Sequence, residues 1–397
     1  MFRTQTSRSR PLLRKAAVAA GMAATLLMPL SQASAEQIKI GFMLPYSGTF
    51  AQLGDRITKG FNLAVEQNGG NIGGFEVTSV TVDDESNAGR ATRNMQQLVS
   101  GENVDVVVGT VHSGVAMAMV RVARADGTIL IIPNAGLDAA TRQLCGPNIF
   151  RTSFSNWQPA YPMGQIAYDR GYRNVVTMSW RYGAGQEALA GFKEGFTAAG
   201  GEIMEEIYVP FPDVNFQAQL TEIASLRPDA VFVFFAGGGA VQFVRDYAAA
   251  GLSDSIPLLG SGFLTEGVLA AQGDAAEGVL TTLHYADGLD NPANVAFRSA
   301  YRERFDEDPD IYAVQGFDAA RLLIAGVDAA GGYEDRDALI EAMRQVQLES
   351  PRGPMTFSSA HNPVQNIYLR EVRNGENVVL GIAHEALADP ATGCLMD

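Results

Sequence analysis

Short apolar runs alternate with segments of helical periodicity along almost the whole chain, and that alternation leaves few folds open. Residues 38–44 are an apolar run ending at Pro45-Tyr46-Ser47-Gly48, and residues 54–67 then place Ile57, Phe61, Leu63 and Ala64 on one helical face. Residues 77–82 alternate, 88–99 are helical, and 104–108 form the β-branched run of a buried strand. A helix over 113–125 and a strand over 128–132 complete a βαβαβαβ series, which builds a parallel sheet with helices on both faces. A second series follows, with helices at 157–168, 187–199, 216–226 and 240–250 and strands at 175–179, 203–209, 230–235 and 257–260. Three more helices are expected at 293–305, 314–329 and 336–345. Two late strands, 367–372 and 378–382, flank Arg373-Asn374-Gly375-Glu376, where Asn-Gly signals a hairpin. The chain is too long for one ordinary core, and no low-complexity linker divides it. The expected fold is α/β, with two doubly wound parallel-sheet lobes packed across a cleft and crossed by several short segments.

The first 35 residues read as an address. Arg3, Arg8, Arg10, Arg14 and Lys15 precede a mostly apolar run over 16–30, and Ala33-Ser34-Ala35 offers a small-residue cleavage site. A membrane anchor is the other reading, but the run is shorter than the roughly 20 residues a spanning helix needs. A signal peptide over 1–35, cleaved after Ala35, is therefore expected, with the mature protein in the periplasm. No twin-Arg pair and no lipid-attachment Cys accompany the run. Those 35 residues hold five of the 29 basic side chains and no acid, so the remainder carries 24 basic against 44 acidic groups, a formal charge of −20. That balance excludes nucleic acid as a main partner, because phosphate binding rests on clustered Lys and Arg. Outside the cytoplasm, two cysteines favour a disulfide, here Cys145 to Cys394, over two separate thiols.

In open parallel sheets ligands bind beyond the carboxyl ends of the strands, so the loops there carry the functional signal. Gly109-Thr110-Val111-His112-Ser113-Gly114 follows the strand at 104–108, with Ser113 placed to cap the next helix. A helix N-terminus suits a carboxylate, although an ordinary cap would serve only its own helix. Asn134-Ala135-Gly136 can bring backbone N–H groups close to a ligand, or be a tight turn. Tyr182 in Tyr182-Gly183-Ala184-Gly185 reads as a cleft wall, since the rest of a dinucleotide fingerprint is missing. Gly237-Gly238-Gly239 and Gly260-Ser261-Gly262-Phe263 are either cavities made by missing side chains or turns. No nucleophile elbow and no His-Glu-x-x-His is present, and His112, His284, His361 and His384 lack metal spacing. Asp83-Asp84-Glu85 reads as a charged surface loop rather than a cation site. No enzyme, metal or cofactor is expected.

Taken in order, several marks give the chain a family resemblance. They include Ile38-Lys39-Ile40-Gly41 running into Pro45-Tyr46-Ser47-Gly48, then Ala51-Gln52-Leu53-Gly54 and Gly60, Asp83-Asp84-Glu85, and the 106–109 strand leading to Ser113. Phe150-Arg151-Thr152-Ser153, Tyr182-Gly183-x-Gly185, Ala276-Glu277-Gly278-Val279 and Gly316-Phe317-Asp318-Ala319 complete the set. The sequence resembles the periplasmic substrate-binding proteins of branched-chain-amino-acid-type (Leu/Ile/Val-binding-like) ABC importers. The resemblance implies a type I bilobal fold with a three-crossing hinge, whose lobes close on a ligand and deliver it to a permease with ATPase subunits. It places an N-terminal lobe at 36–155 plus 286–348, a C-terminal lobe at 156–285 plus 349–385, and a tail at 386–397 that returns to the first lobe. A monomer is expected.

In that family's amino-acid binders the residues matching Ser113 and Asn134-Ala135-Gly136 hold the ligand carboxylate, usually with a Thr where Gly136 stands. The acid that holds the ligand ammonium corresponds to Gly262 here, with Glu266 four residues on, and the usual aromatic is replaced by Gly238 or Gly239. Tyr182 matches directly, and Tyr285 or His284 matches approximately. An α-ammonium buried without a counter-charge costs several kcal/mol, so these departures argue against an α-amino acid. Missing side chains at 238 and 262 make room, with Phe50, Trp157, Tyr182, Phe263 and Tyr285 as candidate walls for a flat apolar body. Tyr182 to Glu187 and Gly191-Phe192-Lys193-Glu194-Gly195-Phe196 also look like the aromatic-acid-binding branch. The expected ligand is a small carboxylate, an aromatic acid. The alternatives are a branched-chain amino acid, amide or aliphatic acid in the same role, a periplasmic sensor, or an exported enzyme.

Overall fold

The structure is a computed structural model and describes residues 36–396. The expected signal peptide at 1–35 and its cleavage point lie outside the described residues. No helix among the described residues is long and apolar enough to cross a membrane.

The first sheet is made of β1 (Gln37–Leu44), β2 (Asn71–Ile72), β3 (Phe75–Asp83), β4 (Val106–Val108), β5 (Ile129–Ile132) and β6 (Ile149–Arg151). Their order is β2-β3-β1-β4-β5-β6, and every neighbouring pair except β2–β3 is parallel. The helices between and around them are α1 (Ala51–Gln67), α2 (Ala88–Gln96) and α3 (Ser113–Asp126). All residues of β4 and β5 are buried, as expected of strands covered on both faces.

After α4 (Trp157–Asp169) the chain enters a second sheet of β7 (Asn174–Trp180), β8 (Glu202–Val209), β9 (Ala230–Phe234), β10 (Leu258–Ser261) and β11 (Leu280–Leu283). Helices α5 (Gly183–Ala199), α6 (Gln217–Leu226), α7 (Gly237–Ala249) and the short α8 (Leu269–Gln272) connect them. Helices α9 (Pro292–Phe305), α10 (Ile311–Ala330) and α11 (Arg336–Arg344) follow, with α9 and α10 packing on α1. The chain then rejoins the second sheet through β12 (Leu348–Ser350), β13 (Gly353–Phe357), β14 (Pro363–Arg373) and β15 (Glu376–Leu387). The order is β12-β13-β14-β11-β10-β9-β7-β8, with β15 on β14. The fold is thus α/β with two mixed, largely parallel sheets.

The strand pattern leaves five strands unmarked: β2, β6, β11, β12 and β13. β11 shows why. Thr281 and Thr282 are polar in sequence but fully buried, and the Thr282 hydroxyl donates to the carbonyl of Pro159 at 2.5 Å. The hairpin forms at Asn374-Gly375, both at positive φ (52° and 75°), with Arg373 paired to Glu376. The acidic loop is not simply a solvated one. Asp84 is buried, accepting from Thr110 Oγ1 and from the Ser86 N–H, and burial pushes its carboxyl up to about 6.

Cys145 and Cys394 are bonded, with Cα atoms 5.5 Å apart across a separation of 249 residues. Arg142 adds a bidentate pair to Asp389 at 3.0 and 2.9 Å, so two links hold the C-terminal tail beside the segment after β5.

Strand order reverses at β1, flanked by β3 and β4, and at β7, flanked by β8 and β9. At such switch points the outgoing loops diverge and leave a crevice.

Candidate ligand site

The loops from both switch points meet and enclose a cavity. Phe50 and Leu53 come from the turn and helix after β1, Val111 from the loop after β4, and Asn134 and Gly136 from the loop after β5. Phe154 and Asn156 lie on the segment that leaves β6 for the second sheet. Tyr182 and Ala184 follow β7, Phe234 and Ala236 sit at the end of β9, Phe263 follows β10, and Tyr312 opens α10. The two halves are shut on one another: a Cβ built on Gly183 of α5 would stand 3.4 Å from that of Ser113 on α3. The space left between these side chains is about 20 Å³, room for about one water molecule, so a ligand must displace part of the wall.

The walls are aromatic. The rings of Phe154 and Phe263 lie 4.6 Å apart, Phe234 is 6.2 Å from Phe263, and Tyr182 is 6.4 Å from Phe234. No acidic or basic side chain is among the lining residues. The Tyr312 hydroxyl is buried with no hydrogen-bond partner, a state that costs about 1–3 kcal/mol unless a ligand relieves it. Burial raises the Tyr182 and Tyr312 hydroxyls far above the usual phenol range, so both are neutral donors. Asn134 gives one N–H to Gln315 Oε1 at 2.7 Å, which leaves its second for the cavity.

Behind the lining runs a buried polar relay. Asn156 Nδ2 donates to Glu187 Oε2 at 2.7 Å and to Ser113 Oγ at 3.3 Å. The same Glu187 oxygen accepts the Asp138 N–H at 3.1 Å, and Asp138 pairs with Arg142 at 3.2 Å. Burial raises both carboxyls, and Glu187 adds to the rise at Asp138 while the Asn156 and Asp138 hydrogen bonds oppose it at Glu187.

Of the residues singled out by sequence, Phe50, Asn134, Gly136, Tyr182 and Phe263 line the cavity. Ser113 stands one hydrogen bond behind Asn156. It is not the cap of α3. His112 is, its Nδ1 accepting from the Gly114 N–H at 3.0 Å and the Val115 N–H at 3.4 Å, while Ser113 is the first helical residue. The N–H of Ala135 donates to the Thr110 carbonyl at 2.9 Å, so it is not free for a ligand. A side chain in place of Gly136 would meet Asn156 Oδ1 at 2.3 Å and Phe154 at 2.5 Å, which explains why no Thr stands there.

His284 is fully buried beside the wall, stacked on Phe154 at 5.3 Å, with its Nε2 3.2 Å from Gln315 Nε2. Burial and Arg352 hold its ring neutral. His284, like Ser113 and Ala135, is not itself among the lining residues, and four more expected residues fall outside it. Trp157 stacks on Tyr161 at 4.5 Å and donates from Nε1 to Glu194 at 2.9 Å. Tyr285 donates to Asn294 Oδ1 at 2.9 Å, deep in the core. Gly238 is exposed. The missing side chain of Gly262 gives the ligand no room, because Leu283 and the Arg370 guanidinium fill that space at 2.5 and 2.6 Å from a built Cβ. Nor do the neighbouring glycines form a cavity: a Cβ on Gly239 would strike Trp180 at 2.1 Å, and one on Gly237 (φ +56°) would stand 2.6 Å from the Thr49 carbonyl oxygen.

Glu266, the nearest acid to the expected ammonium position, is 2% exposed and committed elsewhere. It pairs with Arg370 Nη1 at 2.7 Å and accepts the Ile311 N–H at 3.1 Å. Sequence reasoning missed Phe154, Asn156 and Tyr312. Phe154 and Asn156 lie just past Phe150-Arg151-Thr152-Ser153 on a crossing segment without strand or helix periodicity, and Tyr312 reads as one more core residue of an apolar helix.

Comparison with known proteins agrees with this architecture. A model of the periplasmic binding protein family matches residues 37–377. A Leu/Ile/Val-binding protein homolog of Brucella melitensis is 31% identical over 361 residues, covering 89% of this chain and 92% of that protein. A solved ABC-transporter solute-binding protein from R. palustris, in complex with benzoate, is 51% identical with a TM-score of 0.89, covering 91% of this chain and 100% of that one. Another, from Rhodopseudomonas palustris BisB5 in complex with 3,4-dihydroxybenzoic acid, is 34% identical with a TM-score of 0.85, covering 89% and 99%. The chain belongs to the periplasmic binding protein family, has the type I fold, and is an extracytoplasmic solute-binding protein rather than an enzyme.

Proposed function

We propose that this chain closes on a small aromatic carboxylate of about benzoate size and presents it to an ABC import permease driven by ATPase subunits. The observation that carries this reading is a phenylalanine-walled cavity with no charged lining residue, while Glu266, the acid next along the chain from the expected ammonium position, is already committed to Arg370. A buried ammonium would meet no counter-charge on the lining, since Glu187 stands behind Asn156 and already accepts two N–H groups, whereas a flat ring meets Phe154, Phe234 and Phe263. The second N–H of Asn134 is a donor on the lining, and the Ser113 hydroxyl, one hydrogen bond behind Asn156 at the positive end of α3, is the donor we assign to the carboxylate once the ligand displaces the wall. The benzoate and dihydroxybenzoate carried by the two solved relatives support the ligand class. The rest of the reading follows the family. The leader is removed after Ala35, the mature protein works in the periplasm as a monomer, and segments 36–155 plus 286–348 move against 156–285 plus 349–385. The name of the Brucella relatives keeps a branched-chain amino acid as the competing ligand.

A thermal-shift panel on residues 36–397, stripped of carried ligand by unfolding and refolding, separates these readings. A ligand at a thousandfold its dissociation constant adds about 4 kcal/mol, which raises Tm by several degrees. The expected result is a shift with benzoate and hydroxybenzoates and none with leucine or valine. A shift confined to the amino acids overturns the proposal. Ser113→Ala should weaken benzoate binding about tenfold to a hundredfold, the loss of one hydrogen bond to a charged group.

A further inference from the structure

We infer that Asn156 and Glu187 are positioning residues that lock the Ser113 hydroxyl as a donor, so that the site selects an anion and is complete only when the two halves are shut. The inference rests on the proposed role of Ser113 toward the ligand carboxylate.

The geometry fixes the polarity of the relay. Asn156 is 2% exposed, so its amide must find partners within the protein. The Glu187 Oε2 it meets at 2.7 Å already acts as an acceptor, taking the Asp138 N–H at 3.1 Å, so the amide presents its NH2 group. The second hydrogen of that NH2 then goes to Ser113 Oγ at 3.3 Å. A hydroxyl that already accepts has its own proton left to give. Both hydrogens of the Asn156 amide are spent, so it does not itself donate to a ligand; it sets what Ser113 can do. A serine held in this way favours a carboxylate oxygen over the NH2 of an isosteric amide.

The relay also spans the cleft. Ser113 follows β4 of the first sheet, Asn156 sits on the crossing segment, and Glu187 is on α5 behind β7 of the second sheet. Glu187 also takes the Asp138 N–H of the first half. When the halves part, Glu187 leaves and Asn156 loses the acceptor that fixes its orientation. Sequence pattern carries no hint of this, because neither residue sits in a motif with a chemical spacing.

Calorimetric titration of the mature chain with benzoate and with benzamide tests the assignment. The variants are Ser113→Ala, Asn156→Asp, Glu187→Ala and Glu187→Gln, with unliganded Tm measured for each. Asn156→Asp offers Ser113 a competing acceptor and should reduce the benzoate-over-benzamide preference at least about tenfold. Glu187→Ala should lose about tenfold in benzoate affinity, while Glu187→Gln, which keeps an acceptor oxygen, should stay within about threefold of the parent. If Asn156→Asp fails to fold, the Glu187 pair carries the same prediction from a less buried position. An unchanged acid-to-amide preference in Asn156→Asp, or equal losses in the two Glu187 variants, overturns the inference while leaving Ser113 in place. If Ser113→Ala binds benzoate as the parent does, or the parent does not bind it, the reading of the site fails and the inference with it.

Discussion

His112 illustrates how much of the site is set by single side chains. Its imidazole caps α3 by accepting two N–H groups, which requires an unprotonated Nδ1. Burial alone lowers its pKa to about 4. The sign of the linkage follows. A histidine depressed from about 6.5 contributes stability in full above that pH, and the contribution is lost as pH falls toward 4. His112→Asn, whose amide oxygen caps without titrating, should flatten that part of the stability-versus-pH curve in denaturant titrations. An unchanged slope would remove His112 from the account. At this scale the sequence was a partial guide. Phe50, Asn134, Gly136, Tyr182 and Phe263 could be read because each sits in a loop just past a strand end. Gly262 misled, because an absent side chain does not tell whether the space faces the ligand or is taken by Arg370 and Leu283.

At the scale of elements, loops after strands position the chemistry and helix contacts hold the frame. α1 and α10 approach so closely that a Cβ on Gly60 would stand 1.9 Å from the Ala313 carbonyl oxygen, and one on Gly316 1.9 Å from that of Ile57. Backbone cannot yield there as a flexible side chain can, so Gly60→Ala should destabilise the protein by at least about 1–3 kcal/mol, read from the shift in denaturant midpoint. A neutral result would mean that α1 and α10 do not pack in this way. Gly60 and Gly316 could be read from the sequence as marks of a family, yet only the packing supplies their physical reason. The alternation of strands and helices was legible because buried parallel strands are nearly continuous apolar runs, as in β4 and β5. β11 escaped because its buried threonines spend their hydroxyls on internal partners, Thr282 on Pro159 and Thr281 on Arg370.

At the scale of the whole molecule, two sheets each present a switch point to one cavity, and the tail is stapled far upstream. The Cys145–Cys394 bridge closes a loop of 249 residues. Removing it by Cys145→Ser should cost about 2–5 kcal/mol, measured by equilibrium unfolding, with ligand affinity unchanged because neither cysteine lines the cavity. A loss of affinity without a loss of stability would mean that the tail takes part in closure. Between its lobes the protein should accept a benzoate-like acid and refuse an α-amino acid. Isothermal titration of ligand-stripped residues 36–397 with benzoate and with leucine measures it directly. Saturable one-to-one binding of benzoate and no heat of binding for leucine are expected; saturable binding of leucine with none of benzoate would overturn the proposed specificity.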